Sequence, residues 1–341
     1  MSVTSFPKGD PMTSVRSFRG RHRLAALGLA LAALCGVQAT VPAAAAEAGL
    51  TVTDAVALPH DDAYPEGMVL DPATGDLYVT SFGTGAVYRA TPGAVKAKVY
   101  LPAGAEGRDH AMGVDIDRRG RLWVNDKAGV TLYEKATGTR LARFVTPAPE
   151  SSVLNDLDFT PDGTAYLTDS TRKVVHRLTE KQVADAIAAG GPDRTLPVGF
   201  DLTAVVTPQP EGTLTLNGIE ADPTGTHLLI IDSASGDLFR IALASGTIGK
   251  VQVSGASLAG GDGLLLEKNK LWVAHFANDR ISRVALSADF TGAVVESQLA
   301  DPALQHPTAL VRRNGALHVV RSQYGFATLD LPFTVGRLSG I

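Results

Sequence analysis

Four oxygen-bearing side chains recur along the chain, each at the head of a short apolar stretch: Glu66 in "PEGMVL", Asn155 in "LNDLDF", Asn217 in "LNGIEA" and Asp262 in "GDGLLL". Two more stretches of the same make, "AMGVDI" and "HPTALV", carry Met112 and Pro307 at that place, so the six anchors are separated by 46, 43, 62, 45 and 45 residues. If an anchor served only to make a turn, all six copies should carry similar residues; four bear oxygen and two do not. Glu66, Asn217 and Asp262 together offer two carboxylates and an amide oxygen, a set that suits one hard divalent cation completed by water. Calcium is the first choice, ahead of magnesium, manganese and zinc, because no His stands at an anchor. Asn217-Gly218 is also an ordinary hairpin pair. The variation from copy to copy favours a ligand.

Something must bring these distant residues together, and internal repetition supplies it. Each copy joins an apolar strand, a tight turn usually marked by Asp, Pro and Gly, a second strand such as "LYVT" or "LWVA", and a third strand ending near an Arg. A period near 45 residues with about four strands per copy is the pattern of propeller blades. Fourth strands are expected at Ala97 to Pro102, Arg140 to Val145, Leu202 to Thr207, Gly249 to Ser254 and Ala293 to Ala300. The sixth copy runs out of chain, and Leu50 to Leu58 is free to supply its missing outer strand, so that no edge stays unpaired. In the long third gap, "TEKQVADAIAAGGP" has capping-box spacing at Thr179 and Gln182 and a Gly-Gly-Pro stop, which predicts a surface helix. Arg89, Arg177, Arg240, Arg283 and Arg337 recur at one place in the third strand, a structural feature of the repeat. The expected fold is all-β: a six-bladed β-propeller closed by an N-terminal strand, with one short helical insertion in the third blade. Its anchors would meet where the central channel opens.

The ends and the composition narrow the setting. Arg16, Arg19, Arg21 and Arg23 precede the apolar run Leu24 to Val37 and the small-residue stretch "VPAAAAEA", the make of a secretory signal peptide over residues 1–46. The apolar run has 14 residues, short of the roughly 20 a spanning helix needs. The chain is therefore expected to be secreted, extracellular and free of the membrane after cleavage, with residues 47–341 as the propeller domain. Cys35, the sole cysteine, leaves with the leader, so the exported domain has no disulfide. Cleavage removes five of 31 basic and one of 35 acidic residues, leaving 26 against 34, a net charge of −8. Nucleic acid is excluded as a partner on that balance.

No G-x-S-x-G elbow, H-E-x-x-H pair or phosphate-binding glycine loop occurs. His110 and His306 fall one or two residues before anchors, where either could line the pocket, bind substrate and shuttle protons. His275, within "LWVAHF", reads as a packed residue, and Asp61 and Asp62 as solvated loop charges.

Through "PEG" (Pro65 to Gly67), "LND" (Leu154 to Asp156), "LNGIEADPTG" and "GDGLLLEKNKLWVA", the chain resembles the gluconolactonase and senescence-marker-protein (regucalcin-like) family of six-bladed propellers with one central divalent metal. The resemblance implies Glu66, Asn217 and Asp262 as metal ligands, and Asn155 as a neighbour contacting substrate or metal-bound water. Val153 stands where relatives that take sugar lactones carry an Arg, and Leu157 replaces a Gly. The resemblance implies a lactone or ester hydrolase in which the cation polarises the carbonyl, Asp262 orients or deprotonates water, and Asn155 and Asn217 hold the substrate oxygen. Two other readings stand beside it: a binding propeller whose metal is only structural, and a paraoxonase-type esterase.

Overall fold

Alternating apolar and polar residues over five to seven positions, followed by Asp, Pro or Gly, make a short strand and a tight turn. In the computed structural model, which describes residues 51–341, these units form six antiparallel sheets. From the innermost strand outward, blade 1 is Pro65–Leu70, Leu77–Ser81, Val87–Ala90 and Lys98–Leu101. Blade 2 is Val114–Ile116, Arg121–Asn125, Gly129–Glu134 and Thr139–Val145; blade 3 is Leu154–Phe159, Ala165–Asp169, Val174–Leu178 and Val198–Asp201. Blade 4 is Leu216–Ala221, His227–Asp232, Leu238–Ala242 and Thr247–Lys250; blade 5 is Gly261–Glu267, Lys270–His275, Arg280–Leu286 and Gly292–Ala300. Blade 6 is Pro307–Arg313, Ala316–Arg321, Thr334–Ser339 and the N-terminal Thr51–Ala57. Each innermost strand packs on those of the two neighbouring blades, and the sixth returns to the first.

The N-terminal strand closes the ring as anticipated, pairing antiparallel from Thr51 opposite Ser339 to Ala57 opposite Thr334. The inserted helix α1 (Glu180–Ala189) also forms where the capping box placed it: Thr179 Oγ1 accepts from the Gln182 N–H, and Gln182 Oε1 accepts from the Thr179 N–H. Val183 and Ala186 bury it in the apolar cluster between blades 2 and 3, beside the outer strand Thr139–Val145 of blade 2. The recurrent arginines occupy one register position, opposite Tyr78, Tyr166, Leu229, Trp272 and His318 of the second strands.

Three expectations are corrected. The outer strand of blade 3 is Val198–Asp201, not Leu202 to Thr207. Leu202 and Val206 are buried with exposed residues between them, and the Val206 N–H donates to the Leu202 carbonyl four residues back, so this stretch turns with helical rather than strand periodicity. The segment Gly249 to Ser254 is split: Thr247–Lys250 completes blade 4, while Gln252–Ser254 crosses to pair in parallel with Gly292–Val294 of blade 5. The sixth anchor is Thr308, one residue after Pro307, because Pro307 opposite Arg321 matches Pro65 opposite Ser81.

Six apolar clusters make the core, one in each gap between neighbouring blades. Burial of apolar surface, the main favourable term in folding, is thus achieved mainly between blades, and the channel carries polar side chains among apolar ones. The proposed leader lies outside the described residues. Among those residues no helix is long and apolar enough to cross a membrane.

Candidate functional site

Five innermost strands carry a β-bulge at the same point, two residues facing one on the second strand. The bulged pairs are Glu66-Gly67, Asn155-Asp156, Asn217-Gly218, Asp262-Gly263 and Thr308-Ala309, with Met112-Gly113 at the matching place in blade 2. Bulges commonly re-aim side chains beside functional sites. Here one aims all four polar anchors at the channel. The glycine has its own cause: a Cβ on Gly67 would stand 2.4 Å from the Met112 carbonyl oxygen, and one on Gly218 would stand 2.4 Å from that of Asp262. Asn217-Gly218 is therefore no hairpin corner; its glycine admits the next blade's backbone.

Hydrogen bonds between blades pin the bulges. Thr80 Oγ1 accepts from the Gly67 N–H at 2.7 Å and donates to the Met112 carbonyl at 2.5 Å. Thr168 Oγ1 likewise accepts from the Asp156 N–H at 3.1 Å and donates to the Asn217 carbonyl at 2.7 Å. Asn125 Nδ2 donates to the Asn155 carbonyl, and Thr308 Oγ1 donates to that of Glu66, joining last blade to first. Asn155 Nδ2 donates to Ser170 Oγ at 3.3 Å.

The four anchors line a cavity of about 200 Å³ along the channel. Four more carboxylates share it: Asp156 at the second bulge position, and Asp115, Asp158 and Glu220 three residues beyond the bulge heads of blades 2, 3 and 4. Among the described residues no Lys or Arg lines it. Burial, then the carboxylates of Asp262 and Asp156, push Glu66 well above the usual range. Burial and Asp156 do the same to Asp262, while the adjacent Asn217 amide pulls the other way. Burial raises Asp156 to about 7 and Asp158 to about 6. Asp115 and Glu220 are raised well above normal, by burial first and then by Asp158 and Asp156.

Two features fit this site to a divalent cation. Charge is held back on every carboxylate by want of a positive partner, and Asn217 Oδ1 is buried with no hydrogen-bond partner. Such an orphan costs about 1–3 kcal/mol unless something completes it. Among the described residues no three His, Cys, Asp or Glu side chains group as a metal cluster; the candidate set has two carboxylates, and its third ligand is an amide.

His110 and His306 stand at equivalent places, two residues before the bulge heads of blades 2 and 6. Their Nδ1 atoms lie 2.6 Å from the Phe82 carbonyl and 2.9 Å from that of Tyr324, so each Nδ1–H donates and the neutral ring presents Nε2 as an acceptor. His275 is packed, as its sequence suggested: it bonds the Ala259 carbonyl and Ser282 and is pushed down to about 4, chiefly by burial. The acids missed from sequence are Asp115, Asp156, Asp158 and Glu220. Their signal was an acidic residue inside an apolar innermost strand, in "VDI", "LNDLDF" and "GIEA".

Six blades around a channel lined by acids and amides define a six-bladed β-propeller with an oxygen-rich central site. The chain belongs to the SMP-30/gluconolactonase/LRE-like family, whose region matches residues 64–309. A comparison with curated proteins finds no match. Among solved structures it is similar to the calcium-binding protein regucalcin from Agrobacterium tumefaciens, at 14% identity over 85% of this chain and 96% of that one, TM-score 0.58. It is similar to a luciferin-regenerating enzyme at 15% identity over 86% and 96%, TM-score 0.59. Virginiamycin B lyase from Staphylococcus aureus matches at 13% identity over 86% and 100%, TM-score 0.57. At these identities the likeness is one of fold.

Proposed function

We propose that this protein is an exported, metal-dependent hydrolase that opens a lactone, a cyclic carboxylic ester, by adding water across its acyl carbon–oxygen bond. The observation that carries the reading is the buried, unpartnered Oδ1 of Asn217 beside two carboxylates, Glu66 and Asp262, whose charge nothing in the described chain balances. Family membership supports the reaction class.

Glu66, Asn217 and Asp262 would hold the cation, calcium before magnesium, manganese or zinc. When bound, a divalent cation supplies Lewis acidity toward the ester carbonyl and offsets the charge of its carboxylates. Asp262, at 8% exposure, is shielded from bulk water and lines the cavity, which suits its carboxylate to take a proton from the attacking water and return it to the departing alkoxide. Asn155, 4% exposed and oriented by Ser170, positions the substrate oxygen. His110 and His306, two residues before the bulge heads of blades 2 and 6 and outside the cavity lining, would carry protons between the site and solvent. Residues 1–46 would direct export and be cleaved.

The test is turnover of a lactone panel by purified protein. Hydrolysis abolished by a chelator and restored by calcium or manganese supports the proposal. A folded, metal-loaded protein that hydrolyses no lactone or ester would leave a binding propeller.

A further inference from the structure

The face on which the bulges open is not uniform. Tyr324, in the loop after the second strand of blade 6, packs against three rings: Phe82 at 5.2 Å between centroids, Tyr64 at 5.9 Å and Phe276 at 6.3 Å. Phe82 stacks on His110, and Phe276 lies against His306. One continuous, partly exposed wall of rings therefore spans blades 5, 6, 1 and 2. None of these rings is among the residues that line the cavity; the chain places them close by. Tyr64 and His306 each stand two residues before a bulge head, a reach of at most about 7 Å. Both hold positive φ, 39° and 57°, a conformation that side-chain-bearing residues adopt at a cost and that clusters at functional sites.

Blades 3 and 4 present the opposite arc, and its hydroxyls are already engaged. Ser170 donates to the Leu216 carbonyl, Thr215 to the Ser170 carbonyl and Ser233 to the Gly261 carbonyl, while Val153 offers none. A polyhydroxylated lactone needs many free donors and acceptors, and these three hydroxyls spend their protons on the backbone; Arg172 Nη1 of blade 3 is a donor without a partner among the described residues. Lys127 Nζ lies over the Phe82 ring, 5.8 Å from its centroid, and sets one ammonium beside the wall.

Resting on the hydrolase reading above, we propose that Tyr64, Phe82, Phe276 and Tyr324 form a specificity wall, and that the substrate is a lactone bearing a bulky apolar limb, aryl or alkyl, rather than a polyhydroxylated one. In the reaction, water's hydroxyl joins the acyl carbon, the ring carbon–oxygen bond breaks, and the proton ends on the released alcohol. The limb itself is unchanged and lies on the wall.

The experiment measures kcat/KM of the calcium-loaded protein on phenyl-substituted, hexyl-substituted and unsubstituted γ-butyrolactone and on glucono-δ-lactone. Binding of the phenyl-substituted γ-lactam, which is not hydrolysed, is measured alongside by calorimetry. Burying about 100 Å² of apolar limb predicts roughly a 30-fold or greater preference for the substituted lactones over the unsubstituted one. The aryl and alkyl arms tell which limb the wall prefers. Tyr324→Ala should collapse that ratio by about 10-fold and Tyr324→Phe should keep it; a ratio is insensitive to any loss of folded protein. Equal or better turnover of glucono-δ-lactone, or a ratio untouched by Tyr324→Ala, overturns the wall and leaves the hydrolase standing. No turnover, with lactam binding that depends on Tyr324, overturns the hydrolase and leaves the wall. Neither turnover nor lactam binding overturns both.

Discussion

Thr308 Oγ1 donates a 2.7 Å hydrogen bond to the carbonyl oxygen of Glu66, so the bulge of the last blade grips that of the first across 242 residues of sequence. The bond does two things at once: it joins the ends of the ring, and it fixes the backbone that carries a candidate ligand. Thr308→Val keeps the shape and removes the donor. It is expected to lower stability by about 1–2 kcal/mol, seen as a lower urea midpoint at unchanged slope, and to weaken calcium binding by a few-fold in calorimetry. Unchanged affinity would separate ring closure from the site.

Asn217→Ala removes an amide whose oxygen has no partner among the described residues. The metal-free variant should therefore melt within a few degrees of the parent. The gain on adding calcium should disappear. For the parent that gain is about 2.7 kcal/mol at a hundred-fold excess over Kd. Thermal scans with and without calcium check both halves, and a variant that keeps its calcium-dependent shift would remove Asn217 from the ligand set.

The crowded carboxylates fix the sign of a pH dependence. Their folded pKa values lie above the unfolded ones, with Asp156 at about 7 and Asp158 at about 6, so the native state binds more protons than the unfolded chain from about pH 4 upward. Metal-free stability should fall as pH rises, through about pH 6 and then about pH 7 as Asp158 and Asp156 ionise, and further as the other raised acids follow. Calcium should offset it, stabilising more at pH 8 than at pH 5. Glu220→Gln removes one repelling charge and should raise the metal-free melting temperature at pH 8 but not at pH 4. Chemical denaturation across this range decides it, and a stability rising from pH 5 to 8 without metal would contradict the account.

The blades were legible because a repeat near 45 residues writes the same alternation six times, and the anchors stood out as the places where the copies differ. The acids of the deeper channel were not legible, for a reason the bulge supplies. In a regular strand a residue three beyond an inward one points away, so Asp158 after Asn155 and Glu220 after Asn217 read as outward. Two residues sharing one pairing position shift that parity and bring both acids into the channel. A bulge leaves no mark in a hydrophobicity pattern, and the same blindness put the sixth anchor on Pro307 instead of Thr308. The rings of Phe82, Phe276 and Tyr324 escaped too, because they lie beyond the second strands, where loop residues carry no period.

Closure by the N-terminal strand yields the last prediction. Thr51–Ala57 supplies the outer edge of blade 6, and its inward residue Val56, with Leu58 just beyond, is 1% exposed within the cluster shared by blades 6 and 1. Burying two such side chains contributes about 3–6 kcal/mol, against a total that for most domains is only about 5–15 kcal/mol. A chain beginning at residue 59 also leaves Thr334–Ser339 as an unpaired edge, an invitation to intermolecular pairing. It should be recovered mainly as aggregate. Val56→Ala in the intact chain should cost about 1–2 kcal/mol by opening a cavity of two methyl groups. Because Val56 lies on the outermost strand of blade 6 and does not line the cavity, the surviving folded protein should bind calcium as the parent does; denaturation and calorimetry on the same preparation test the two statements separately.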